Sequence, residues 1–121
     1  MGFFRNLKSD LSEIGSTKNK FKKKFTALFK LLSDYSYRDM PYSRELGVQK
    51  INLAYNELLE FSQFVNKTET IKIYFRTQDV DMSINETLIV AEILTNDVLE
   101  NGTLLTNTYA LQVIGAVKHN Y

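Results

Sequence analysis

The sequence predicts an α+β domain, with two or three N-terminal helices followed by an antiparallel sheet of four to five strands. Three observations carry that expectation. Val, Ile and Thr number six in residues 1–67 but nineteen in residues 68–117, and branched Cβ atoms favour a pleated surface over a helix. Apolar residues recur at helical spacing before that boundary and alternate after it. Helices also precede strands without interleaving, the order expected when helices pack on one face of an antiparallel sheet. The 121 residues make a single domain, with 1–66 its helical part and 67–121 its β-rich part. A mostly α bundle with one short hairpin is the alternative.

In order along the chain, Phe3, Phe4, Leu7, Leu11 and Ile14 form one apolar helical face, and Gly15 reads as its end. Ser16 or Thr17 can cap a second helix that runs to about Tyr35. There Phe21, Phe25, Leu28, Phe29, Leu32 and Tyr35 fall within an arc of about 120°. Pro41 disfavours helix in the residue before it. Ser43 is the expected cap of a third helix, from Arg44 to Val65, with Val48, Ile51, Tyr55, Leu58 and Val65 facing inward and Gly47 weakening its first turn.

Beyond Asn66 the period becomes two. Ile71, Ile73 and Phe75 alternate with Lys72, Tyr74 and Arg76, and Val80, Met82 and Ile84 alternate with Asp79, Asp81 and Ser83, which reads as a strand and its partner. Residues 87–95 read as a central strand, 98–105 as a hairpin turning at Asn101-Gly102, and 109–117 as a last strand. One stretch argues back. Ser83-Ile84-Asn85-Glu86 matches a capping box, and Asn101-Gly102 can equally terminate a helix, so a helix over 84–100 competes with the strands.

Composition narrows the function classes. The chain has no Cys, which removes disulfides, thiolate zinc sites and cysteine nucleophiles. No run approaches the ~18 apolar residues of a membrane span, and the N-terminus has no secretory signal pattern, so a cytoplasmic or virion-associated location is expected. His119, the only histidine, lies in a C-terminal Lys118-His119-Asn120-Tyr121 tail read as mobile, and the five glycines are scattered, which leaves neither a triad nor a phosphate-cradling loop. Asp79-x-Asp81-x-Ser83 opens like a calcium loop but has Ile84 and Val90 where that loop needs Gly and Glu. Glu57 and Glu60 read as a solvated pair. No catalytic residue, cofactor, metal site or small-molecule substrate is expected.

Charge is the positive lead. Residues 1–50 carry a balance of +6 and residues 51–121 one of −5, a split that suits contact with partners or self-association. Lys18, Lys20, Lys22, Lys23 and Lys24 are the candidate anion-binding residues. They flank the aromatic arc widely, a pattern shared by solvated helix surfaces and by helices that touch phosphates. Lys72 to Arg76 faintly resembles the basic and aromatic face of RNA-binding sheets but lacks their glycines.

Two function classes follow. The first is a non-enzymatic assembly or interaction protein, such as a phage structural or accessory component, since richness in Asn, Lys, Ile, Tyr and Phe fits an AT-rich, low-GC genome. The second is an anion-binding module that sets the lysine helix on nucleic acid or an anionic membrane surface.

Overall fold

A computed structural model describes residues 2–120, with side chains from 17 to 120. The chain runs α1 (Gly2–Tyr37), α2 (Arg44–Phe61) with a 3-10 turn (Ser62–Phe64), β1 (Thr70–Tyr74), β2 (Asp79–Ser83), α3 (Ile84–Asn101) and α4 (Asn107–Asn120). It combines helices with an antiparallel sheet, but the described residues hold two strands rather than four or five.

The helix α1 passes through Gly15 without a break, so the expected boundary there does not occur. A single interior glycine costs a helix about 1 kcal/mol, too little by itself to stop one. The apolar face read at Phe3, Phe4, Leu7, Leu11 and Ile14 lies outside the described side chains. From Phe21 onward the expected arc is the core: Phe21, Phe25, Leu28, Leu32 and Tyr35 are buried, and Phe29 packs beside them.

α1 ends in a Schellman motif. Asp39 N–H donates to Asp34 O at 2.8 Å and Arg38 N–H to Tyr35 O at 3.1 Å, with Arg38 left-handed at φ 59°. Ser43 then caps α2 as expected, its side chain accepting from Leu46 N–H at 3.1 Å. Ile51, Leu58 and Val65 are buried, while Val48 and Tyr55 pack at the edge of the core.

The expected strand and its partner form a hairpin, with Ile71 opposite Met82 and Ile73 opposite Val80. Ile71, Ile73 and Met82 are buried, whereas Lys72 and Tyr74 face out. Past Ser83 the expected strands do not occur; residues 87–95 and 98–101 lie in α3, and 109–117 lie in α4. The capping box decides the first case. Ser83 Oγ accepts from Glu86 N–H at 3.0 Å, and Glu86 Oε1 accepts from Ser83 N–H at 2.9 Å. At the other end Gly102, left-handed at φ 66°, closes the helix where a hairpin turn had been expected. For α4, Thr106 Oγ1 accepts from Tyr109 N–H at 2.9 Å, a hydroxyl cap three residues upstream.

Packing explains why β-branched residues accept a helix here. Ile84, Thr87, Val90, Ala91, Leu94, Thr95 and Val98 line one buried face of α3. A full burial contributes about 1.5–3 kcal/mol for an aliphatic side chain, against at most ~0.7 kcal/mol of lost helix propensity. α1 lies centrally against α2, α3 and β1, and α4 packs on α3. Leu105 N–H donates to Ser36 Oγ at 3.0 Å, which ties the α3–α4 connection to the end of α1.

Candidate functional surfaces

The five candidate lysines do not form one stripe. α1 buries Phe21, Phe25 and Leu28, and at 100° per residue its lysines are left on both flanks of that face and opposite it. Lys18 and Lys22 lie on the flank beside the hairpin, where they border a depression of about 340 Å³ with Asn19, Thr70, Ile71, Lys72 and Asp81. Lys22 Nζ sits 4.3 Å from the centre of the Tyr74 ring. On the opposite flank Lys24 Nζ is 5.5 Å from the centre of the Phe61 ring. Lys20 and Lys23 are exposed, and Lys23 borders a shallow outer surface with Lys22, Thr26 and Lys30.

Sequence reasoning missed Lys72 as a neighbour of the Lys18/Lys22 flank, and Lys118 as a neighbour of Asp81. Lys72 Nζ pairs with Asp81 Oδ1 at 3.2 Å, and Lys118 Nζ donates to the Asp81 main-chain oxygen. Strand register places Lys72 opposite Asp81, so that pair was implicit in the alternation. The long-range approach of α4 was not. Three lysines, Lys18, Lys22 and Lys72, therefore meet one carboxylate, Asp81, around a single depression.

A second surface is apolar. Leu46 and Leu53, two turns apart on the outer side of α2, are 40% and 61% exposed, and Phe64 in the 3-10 turn is 74% exposed. Phe61 steadies the Phe64 ring at 6.1 Å between centroids. Glu57 and Glu60 are exposed on the same helix.

Between α2 and α3 lies a cleft of about 430 Å³ bordered by Asn52, Tyr55, Glu92, Thr95, Asn96 and Glu100. Burial, and then the Glu92 charge, push the Tyr55 phenol above its ordinary value. Thr95 Oγ1 is buried with no hydrogen-bond partner. No three His, Asp or Glu side chains among the described residues are grouped to hold a metal ion. His119 is exposed in the last turn of α4, which runs to Asn120, so that part of the expected mobile tail is helical. Tyr121 lies outside the described residues. Among the described residues no helix is long and apolar enough to cross a membrane.

No family model matches this chain, and searches of curated proteins and of solved structures find no similar protein.

Proposed function

We propose that this chain is a non-enzymatic interaction protein, a subunit that joins a larger assembly through the outer face of α2. The observation that carries the reading is the exposure of Leu53 and Phe64, at 61% and 74%. Apolar side chains on that scale, steadied by a neighbouring ring and rimmed by Glu57 and Glu60, suit a partner with an apolar patch and a basic rim. A composition rich in Asn, Lys, Ile, Tyr and Phe fits such a subunit in a phage or a low-GC bacterium.

Crosslinking with mass spectrometry in the native host tests it, because Lys50 stands on the exposed side of α2 within reach of an amine-reactive reagent. The expected result is a set of Lys50 crosslinks to one protein that disappears in a Leu53→Glu/Phe64→Glu variant. Crosslinks unchanged by that variant overturn the reading, and crosslinks between copies of this chain make the partner a second copy.

A second reading, contact with anions, is favoured by one specific observation. Lys18, Lys22 and Lys72 border the same depression with Asp81 as the single carboxylate. Lys20, Lys23 and Lys24 are not part of that convergence.

A further inference from the structure

We infer that the outward face of β1 and the adjoining flank of α1 form a binding strip for single-stranded nucleic acid, on which a base stacks on Tyr74 while Lys18, Lys22 and Lys72 hold phosphates. The inference rests on the second reading above and names its ligand.

Strand geometry assembles the strip. Lys72 and Tyr74 have the same parity, and both are exposed, whereas Ile71 and Ile73 are buried. Phe75 turns inward and packs edge-on against Phe29, with ring centres 5.7 Å apart. Of two adjacent rings, one therefore joins the core and the other stands in solvent with 64% of its surface exposed. α1 runs alongside and brings Lys22 Nζ to within 4.3 Å of that ring. The ammonium lies over one face of the ring, so a stacked base would take the other face, with Lys22 close to its phosphate.

Chemistry selects the ligand. Tyrosine flanked by cations is the combination that binds unpaired bases without sequence preference, with the ring taking the base and the lysines following the backbone. A duplex keeps its base faces stacked and offers no partner to Tyr74. A lipid surface needs apolar side chains to insert, yet the apolar face of α1 is buried at Phe21, Phe25 and Leu28. On β2, Asp79 lies opposite Tyr74 and Asp81 opposite Lys72. Asp81 also borders the depression and pairs with Lys72 at 3.2 Å, so the two carboxylates steer phosphates toward Lys18 and Lys22 on α1. A five-residue strand spans about 17 Å, room for a few nucleotides.

Fluorescence anisotropy with labelled dT12 and U12, repeated across a salt series, tests the inference. Far-ultraviolet circular dichroism confirms the fold of each variant. Wild-type protein should bind the oligonucleotides at low salt. Lys18→Gln/Lys22→Gln/Lys72→Gln should flatten the plot of log affinity against log salt by about 2, from three lost phosphate contacts. Tyr74→Ala should weaken binding about tenfold or more at every salt with the slope unchanged, and Tyr74→Phe should restore it. No oligonucleotide binding at 50 mM salt, or binding indifferent to Tyr74→Ala, overturns the inference. Polyphosphate and vesicles of phosphatidylcholine with phosphatidylserine are the parallel arms. Lysine-dependent capture of either without Tyr74-dependent oligonucleotide binding overturns the nucleic-acid strip but leaves the anion surface standing. If none of the three probes binds, both fail.

Discussion

Gly47 occupies the inward side of the first turns of α2, where Met40 and Tyr35 press on the backbone. A Cβ at this position would lie 2.8 Å from Met40 Sδ, 3.3 Å from Met40 Cε and 3.1 Å from Tyr35 Cδ2. Gly47→Ala therefore brings two effects of opposite sign into one experiment. Alanine is favoured over glycine within a helix by about 1 kcal/mol. Against that, the sulfur contact is roughly 1 Å shorter than the ~3.5–4.0 Å at which non-bonded atoms attract, and overfilling a packed site costs about 1–3 kcal/mol. The outcome depends on which neighbour can yield. Two of the three contacts, the shortest among them, are with Met40, which is half-buried and packed against the core, whereas Tyr35 needs to give only a few tenths of an ångström. Gly47→Ala should consequently lower stability by about 1 kcal/mol net. In a Met40→Ala background two of the three contacts vanish, and the same change should become neutral or stabilising, a coupling of about 1–2 kcal/mol. Urea unfolding of the four proteins measures it, provided the m-values agree. A coupling within about 0.5 kcal/mol of zero, or stabilisation by Gly47→Ala alone, would refute the reasoning.

Three further perturbations probe other parts of the chain. Ser83→Ala removes the hydroxyl that accepts from Glu86 N–H and should cost about 1 kcal/mol, while Ser83→Thr retains most of the stability; equal losses in thermal melts of the two variants would show that the cap is not the cause. Thr95→Val replaces a buried hydroxyl that has no partner with a methyl of the same shape, so unfolding free energy should rise by about 1 kcal/mol, and a fall would mean that the hydroxyl is satisfied in solution. Tyr109 donates a hydrogen bond to Asp97, and that bond, burial and the Asp97 charge together raise its phenol above the ordinary value. Because the folded state holds the proton more tightly, the contribution is complete below the unfolded pKa of about 10 and is lost as pH rises beyond it. Tyr109→Phe should be less stable by about 1 kcal/mol at neutral pH and lose less on going to about pH 11, as read from urea midpoints.

The sheet-rich second half expected from composition failed at identifiable residues. Val, Ile and Thr in residues 84–98 favour a strand by propensity, yet Ile84, Thr87, Ala91, Leu94 and Val98, all buried on α3, recur at three and four residues. That spacing was legible, as were the Ser83–Glu86 box before it and Asn101-Gly102 after it. Three mutually consistent local signals outweigh a composition count, because a cap and an apolar stripe report geometry whereas propensity reports only a tendency worth a few tenths of a kcal/mol per residue. Residues 109–117 gave less warning: Ala110, Ile114 and Val117 are buried at helical spacing, but a cap at Thr106 is a weak signal beside an apolar run.

The candidate strip divides along the same line. Exposure of Lys72 and Tyr74 follows from strand parity and could be read directly, as could the placing of Lys18 and Lys22 on one flank of α1. What joins them is that β1 lies beside that flank and not beside the one carrying Lys24, so that Lys22 meets Tyr74 while Lys24 meets Phe61. Helical periodicity is symmetrical about the apolar arc and assigns no neighbour to either side. The choice is made by tertiary packing, through Ile71 and Ile73 entering the core against α1. For the same reason five lysines close together in sequence separate into different surroundings, while Lys72, some fifty residues away, comes to border the same depression as Lys22.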